Sequence, residues 1–144
     1  MVSVAFVCLG NICRSPMAEA VFKESSHNDS RITKVESFGT AGYHIGETPD
    51  YRTIQVCEKH NIPINHNAKQ LKSQHLHQFD YILCMDDANL RNVKRLQNDK
   101  STAIIQLFGD EIIDDPYYGG VDGFEKAYQQ CVKYTENFLK SLPK

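Results

Sequence analysis

Residues 2–16 read VSVAFVCLGNICRSP, a nearly unbroken apolar run that leads through a short turn into a serine-proline pair. The apolar run at residues 2–8 is typical of a strand buried on both faces of a parallel sheet, and we expect it to be the central strand. Ser15 is predicted to cap a helix, because proline is favoured at the first helical position. Apolar residues three and four positions apart extend this helix to about residue 26.

Strands and helices continue to alternate along the rest of the chain. The further predicted strands cover residues 32–38, which resemble an edge strand, and residues 79–85 and 102–108, which read as buried strands. The further predicted helices run from Thr48-Pro49 to about residue 60, from a cap at Asp86 or Asp87, and from about residue 124 to 142. This order predicts one α/β domain over residues 1–144, flavodoxin-like and Rossmann-type, with a four-stranded parallel sheet and helices on both faces.

The composition is that of an ordinary globular domain. Of the 144 residues, 41% are apolar and 24% are charged, which argues against disorder and coiled coil. The net charge of -2 provides no general attraction to nucleic acid or to an anionic membrane, and no run of about 18 apolar residues predicts a membrane span. We therefore expect no nucleic-acid partner and no membrane partner, and a phosphate-bearing ligand would need a local site.

Cysteine usage indicates the compartment. The chain has five cysteines, Cys8, Cys13, Cys57, Cys84 and Cys131. They are odd in number and lack the spacing of a disulfide framework, and all but Cys13 lie in predicted core stretches. Reduced thiols are typical of the cytoplasm, which we predict as the location.

The turn after the first strand is the candidate site, because parallel α/β sheets bind ligands at the carboxyl ends of their strands. A turn that enters a helix directs backbone N–H groups and the positive helix end at one point, which favours an anion. Arg14 can bind two oxygens of such an anion. The same groups favour the thiolate form of Cys8 when no ligand is bound. The spacing Cys8-x5-Arg14 therefore predicts a nucleophile within a phosphate-binding loop.

Other interpretations of these residues remain open at this level. Cys8 could be a small apolar residue at a strand end, and Asp115-Pro116 could be an ordinary turn. The nucleotide-binding patterns GxxxxGK[ST] and GxGxxG are absent from the sequence. We predict neither a metal nor a cofactor.

Four segments carry a resemblance to a known family: VCLGNICRSPMAEAVF, GYHIGETPDYR, FDYILCMDDANLRN and DDPYYGG. Together they resemble the low molecular weight protein tyrosine phosphatases, from residue 4 to about residue 139. The resemblance implies hydrolysis of phosphotyrosine and small aryl phosphates, an acid phosphatase activity, through a phosphocysteine intermediate. Cys8 would be the nucleophile, Arg14 would bind the phosphate, and Asp115 would be the general acid and base. Asp114 is chemically equal, and only the family's Asp-Pro-Tyr-Tyr order selects Asp115.

The resemblance also implies substrate-binding and supporting residues. The substrate-binding set is Leu9, Gly10, Asn11, Ile12, Cys13, Tyr43, Tyr117 and Tyr118. The supporting set is Ser15, Ser37, His66 and Asp86. Within them, Ser15 would bond the sulfur of Cys8, Ser37 and His66 would brace Asn11, and Cys13 would pair with Cys8 under oxidation.

The implied partners are phosphotyrosine proteins or peptides, with inorganic phosphate or similar oxyanions as competing ligands, bound by a monomer or weak dimer. An arsenate reductase on the same scaffold is an alternative, but it needs two relay cysteines, and Cys84 alone stands near the required region. A phosphoprotein-binding module without catalytic activity is a third possibility. Such a module would be expected to have lost Cys8, Arg14 or the general acid, and all three are present in this sequence. Residues 107–115 form a shorter segment than in many members of the family, so the resemblance does not fix the path of the chain that brings Asp115 to the site.

Overall fold

Four strands and four α-helices alternate along residues 1–143, the part of the chain that the computed structural model describes. The elements are β1 (Val2–Cys8), α1 (Arg14–Ser26), β2 (Ile32–Gly39), α2 (Tyr51–Lys59), a 3₁₀ helix (Ser73–His77), β3 (Tyr81–Cys84), α3 (Asp87–Lys94), β4 (Ile104–Leu107) and α4 (Val121–Ser141). Every predicted strand and helix is present, whereas the 3₁₀ helix was not predicted. Lys144, the last residue of the predicted domain, lies outside the described residues.

The strands form one parallel sheet in the order β2-β1-β3-β4. The central position of β1 and the edge position of β2 are confirmed. The prediction of a buried strand at residues 102–108 is wrong, because β4 forms the second edge of the sheet and Ile104 is 50% exposed. The apolar run of an edge strand resembles that of a central strand, since one covered face already favours apolar residues.

Helices cover both faces of the sheet, as predicted. Successive strand residues point to opposite faces, so Phe6 of β1 joins the core beneath α1 and α4, whereas Val7 joins the core beneath α3. The Phe6 ring packs against the rings of Phe22 at 5.4 Å and Phe108 at 4.8 Å between centroids. A bilayer-spanning helix is absent from residues 1–143, since none of their helices combines the necessary length and apolar character.

Two helices begin at residues other than those predicted. No side chain within the described residues caps the first turn of α1, where Cys13 holds the N-cap position. Ser15 lies inside the first turn, and its hydroxyl contacts the side chains of the preceding loop. Asp50, and not Thr48, caps α2, because its carboxylate accepts a hydrogen bond from Arg52 N. In α3, Asp86 is the capping residue of the two candidates.

The ends of β1 and β2 hold the turn that follows β1. Thr40 N donates to Cys8 O at 2.9 Å, and Ala41 N donates to Leu9 O at 3.0 Å. Gly39 leaves the room for this contact, because a Cβ there would lie 2.8 Å from Leu9 O. These backbone contacts therefore support the turn.

Candidate active site

A cavity of about 110 Å³ opens at the carboxyl end of β1, over the start of α1. This is the position predicted for the phosphate-binding loop. The residues that line it are Cys8, Leu9, Gly10, Ile12, Cys13, Arg14, Tyr43, His44, Asp115, Tyr117 and Tyr118. The cavity brings together the three predicted catalytic residues and all of the predicted substrate-binding residues except Asn11.

Cys8 ends β1 and is only 3% exposed. Its Sγ atom accepts a hydrogen bond from Asn11 N at 3.2 Å and lies 3.0 Å from Ser15 Oγ. The backbone N–H and the hydroxyl can both donate to a thiolate, and the positive end of α1 lies beside it. The contact of Ser15 with the sulfur is the one that the resemblance implies.

Arg14 is almost fully buried, and its hydrogen bonds within residues 1–143 are made by one nitrogen of the guanidinium. Its Nη1 atom donates to Asp86 Oδ2 at 2.7 Å and to Ile113 O at 2.8 Å, whereas Nη2 lies 3.6 Å from Asp115 Oδ2. Burial lowers the pKa of the guanidinium, but the negative charges of Cys8 and the two carboxylates outweigh burial and raise that pKa above its ordinary value. Asp86, whose role the resemblance did not specify, thus holds Arg14 in place.

Asp115 reaches the cavity despite the short segment that precedes it. Ile113 N donates to Met85 O at 2.7 Å, which ties this segment to the end of β3. Asp115 Oδ1 accepts a hydrogen bond from Tyr117 N at 3.1 Å, so the carboxylate has a defined orientation. Of the two neighbouring carboxylates in the described chain, Asp115 lines the cavity and Asp114 does not.

Asn11 lies behind the loop with its side chain fully buried, away from the cavity. Its φ of 60° is in the left-handed region, which asparagine tolerates better than most residues. Asn11 Nδ2 donates to Ser15 Oγ at 2.8 Å and to Ser37 Oγ at 3.0 Å. Its Oδ1 faces His66 Nε2 at 2.7 Å and accepts from Lys69 N at 2.8 Å. Ser37 and His66 therefore both contact the Asn11 side chain, which are the contacts that the resemblance implies.

Glu19 belongs to the same network and was missed from the sequence. Ser37 Oγ donates to Glu19 Oε1 at 2.6 Å, and His66 Nδ1 lies 3.3 Å from that oxygen. Lys23 Nζ pairs with the other carboxylate oxygen at 2.6 Å. The signal that could have revealed it is a single carboxylate within the apolar residues 16–22, since a buried charge needs partners.

Three tyrosines form the rim of the cavity. Tyr43 is 72% exposed and Tyr118 is 92% exposed, whereas Tyr117 is partly covered. The rings of Tyr117 and Tyr118 meet edge to face, with centroids 4.9 Å apart. Exposed aromatic faces at the mouth of a cavity can pack against an aromatic ligand.

The other four cysteines differ from Cys8 in their surroundings. Burial, assisted by Asp50, raises the pKa of Cys13 to about 12. Burial also raises the pKa of Cys57 to about 11 and that of Cys84 to about 12, and it raises that of Cys131 as well. These thiols therefore stay protonated at neutral pH, and the last three lie in the core.

Comparisons with known proteins find similar proteins over nearly the whole chain. The family model described as low molecular weight phosphotyrosine protein phosphatase matches residues 3–144. Relatives with that name occur in Saccharomyces cerevisiae, 46% identical over 96% of this chain and 94% of that protein, and in Homo sapiens, 48% identical over the same shares. The crystal structure of Primo-1 is similar with a TM-score of 0.93 and 39% identity, covering 98% of both chains. Vibrio vulnificus Wzb in complex with benzylphosphonate is similar with a TM-score of 0.87 and 29% identity, covering 98% of this chain and 99% of that one.

Proposed function

Because this chain belongs to the low molecular weight phosphotyrosine protein phosphatase family, we propose that it hydrolyses phosphotyrosine with Cys8 as nucleophile, Arg14 as phosphate ligand and Asp115 as general acid and base. Family membership makes the enzyme a phosphoric monoester hydrolase that acts through a phosphocysteine intermediate. One observation supports the three roles most strongly: Cys8, Arg14 and Asp115 line a single cavity, and Arg14 Nη2 lies 3.6 Å from Asp115 Oδ2. The arsenate reductase alternative is not favoured, because Cys84 lies in the core with a raised pKa.

In the first step, the Cys8 thiolate attacks phosphorus, the S–P bond forms and the bond to the phenolic oxygen breaks. Arg14 and the loop amides bind the equatorial oxygens and stabilise their developing charge. Phenol has a pKa of about 10, so the departing oxygen needs a proton as the bond breaks. Asp115 lies on the open side of Arg14 and donates that proton.

In the second step, water attacks the phosphocysteine and the S–P bond breaks. Asp115, now ionised, takes a proton from this water. The sulfur leaves as a thiolate, which the Asn11 N–H and the Ser15 hydroxyl stabilise in the positions that they already hold. Inorganic phosphate is then released, and both catalytic groups regain their starting protonation states.

The tyrosines at the mouth of the cavity support an aromatic substrate. Tyr43, Tyr117 and Tyr118 surround the mouth, where their rings can contact the ring of phosphotyrosine in a protein or peptide, or of a small aryl phosphate. Inorganic phosphate and similar oxyanions would compete for the loop. The similarity to a Wzb structure that holds benzylphosphonate supports an aromatic ligand with a tetrahedral oxyanion.

Pre-steady-state kinetics with p-nitrophenyl phosphate tests the proposed function. We expect a burst of about one nitrophenol per enzyme molecule, followed by slower turnover, because phosphocysteine accumulates before it is hydrolysed. Mass spectrometry of the rapidly denatured enzyme should find the phosphoryl group on Cys8, and inorganic phosphate should inhibit competitively. Turnover without a phosphorylated Cys8 would contradict the covalent mechanism.

We also propose a cytoplasmic location and a monomer or weak dimer. The five free cysteines support a reducing compartment, because disulfides do not persist there. Sedimentation analysis at several protein concentrations measures the oligomeric state directly.

We propose that Cys13 protects Cys8 during oxidation, since both residues line the same cavity. Peroxide converts the Cys8 thiolate to a sulfenic acid, and the Cys13 thiol can then displace water from it to form a disulfide. We expect wild-type activity to return after dithiothreitol, whereas Cys13→Ser should recover only a minor fraction, because its Cys8 oxidises further. Cys57→Ala, which removes a core thiol, should recover like the wild type. Equal recovery of Cys13→Ser and wild type would refute the protective role.

A further inference from the structure

Arg52, in the first turn of α2, contacts the segment that carries Asp115. We call residues 114–120 the acid loop. Arg52 Nη2 donates to Tyr117 O at 3.0 Å, and Nη1 donates to Gly119 O at 3.5 Å. The guanidinium carbon also lies 4.5 Å from the centre of the Phe124 ring in α4. Arg52 therefore connects α2, α4 and the acid loop.

Asp50 orients Arg52 and ties it to the phosphate-binding loop. Arg52 Nε and Nη2 donate to the two oxygens of the Asp50 carboxylate, both at 3.0 Å, in the paired geometry that fixes a guanidinium plane. The hydrogen bonds from Arg52 hold the pKa of Asp50 below its usual range. Asp50 N donates to Ile12 O at 2.8 Å. A continuous set of contacts thus runs from Ile12 through Asp50 and Arg52 to Tyr117.

The acid loop depends on contacts from outside itself. All its residues except Pro116 are exposed, and it contains two glycines. Within the loop, Gly119 N donates to Pro116 O at 3.0 Å, and Tyr117 N donates to Asp115 Oδ1 at 3.1 Å. Tyr117 therefore orients the carboxylate through its N–H and is held by Arg52 through its carbonyl.

We propose that Asp50 and Arg52 form a clamp that positions Asp115 for proton transfer to the leaving group. Arg52 is a positioning residue, since it is not among the described residues that line the cavity. This inference rests on the proposed role of Asp115. Displacements of about 1 Å around a reacting group can lower rates by about 10²-fold, so a released loop should impair protonation while phosphate binding persists.

The chain contains a matched control pair at the other end of the sheet. Arg31 Nε and Nη2 donate to the two oxygens of the Asp29 carboxylate at 3.0 and 2.6 Å, with the same two-residue spacing. Arg31 Nη1 donates to a backbone carbonyl, that of Leu142, at 3.1 Å. Because this pair directly precedes β2, it lies at the amino ends of the parallel strands, whereas the cavity lies at their carboxyl ends. Arg31→Met therefore removes an equivalent set of bonds without touching the acid loop.

The test compares kcat/KM for phosphotyrosine and for 2,4-dinitrophenyl phosphate, since this constant reports on events up to the first irreversible step. With Arg52→Met we expect a loss of about tenfold on phosphotyrosine and less than about twofold on dinitrophenyl phosphate, whose leaving group needs no proton. Arg52→Lys, which keeps the charge and one donor for Tyr117 O, should lose less on phosphotyrosine. Arg31→Met should match the wild type on both substrates.

A double variant shows whether Arg52 acts through Asp115. In an Asp115→Asn background, Arg52→Met should cause no further loss of kcat/KM for phosphotyrosine. The effects of two substitutions that act through the same group are not additive. An additional tenfold loss there, or equal losses of Arg52→Met on both substrates, would overturn the clamp. Should Arg52→Met fail to fold, Arg52→Lys and Asp50→Asn carry the same comparison. If Asp115→Asn alone lost activity equally on both substrates, the acid role itself would fail, which is a distinct outcome.

Discussion

Cys8→Ser is expected to abolish turnover, with kcat lower by roughly 10⁴-fold or more, as for the loss of a nucleophile in other covalent enzymes. A serine hydroxyl stays protonated unless a neighbouring base removes its proton. The groups that contact the Cys8 sulfur within the described chain are the Asn11 N–H and the Ser15 hydroxyl, and neither is a base. The serine oxygen would therefore be a poor nucleophile in this loop. Steady-state and burst kinetics with p-nitrophenyl phosphate measure the loss.

A measurement of phosphate binding distinguishes a loss of the nucleophile in Cys8→Ser from a loss of the folded loop. Arg14 and the loop backbone remain in Cys8→Ser. Isothermal titration calorimetry with inorganic phosphate should therefore give a dissociation constant no larger than that of the wild type. Cys84→Ala is the matched control, because Cys84 pairs with Val7 at the same end of the sheet but lies outside the cavity. It should retain wild-type kcat. Substantial turnover by Cys8→Ser would remove Cys8 from the nucleophilic role.

Asp115→Asn is expected to lower kcat/KM for phosphotyrosine by about 10²- to 10⁴-fold, the usual contribution of general acid catalysis. The asparagine oxygen can still accept the hydrogen bond from Tyr117 N, so the loop should keep its conformation while the proton donor is lost. For 2,4-dinitrophenyl phosphate the loss should be far smaller, since its leaving group departs as an anion. The ratio of the two losses is the quantity to measure.

Asp114→Asn provides the control for this experiment. It makes the same change of charge one residue earlier in the chain, at a carboxylate that does not line the cavity. Its kcat/KM should stay close to that of the wild type on both substrates. If Asp114→Asn were the variant sensitive to the leaving group, the acid would have to be reassigned to Asp114.

The sequence predicted much of the fold because the relevant signals are local. The apolar run of β1, the loop that follows it and the amphipathic pattern of α4 each lie within a short window. The errors arose where local signals were equivalent. Thr48 and Asp50 are both good caps, and only the structure shows that the Asp50 carboxylate accepts from Arg52 N. Similarly, the edge position of β4 depends on which strands it pairs with.

Some residues of the candidate site could likewise be predicted from local sequence, and others could not. Cys8 and Arg14 could be identified from the sequence alone, because a strand, a short loop and a helix place them together without help from distant residues. The partners of these residues come from far along the chain: Asp86 binds Arg14, and His66 binds Asn11. His66 has no local pattern that distinguishes it from an ordinary surface residue, and the helix-cap pattern of Asp86 does not point to Arg14. Only the resemblance suggested both as site residues.

The sequence was enough to predict a parallel α/β domain whose first strand ends at a cysteine in a turn suited to an anion, because strand, turn and helix preferences act between near neighbours. The tertiary structure alone decided that Glu19 is buried behind that turn and that Arg52 holds the acid loop. Both facts depend on contacts between elements that are far apart in the sequence, and for Glu19 burial makes the charge require partners. Which residues supply those contacts is decided only when the chain has folded.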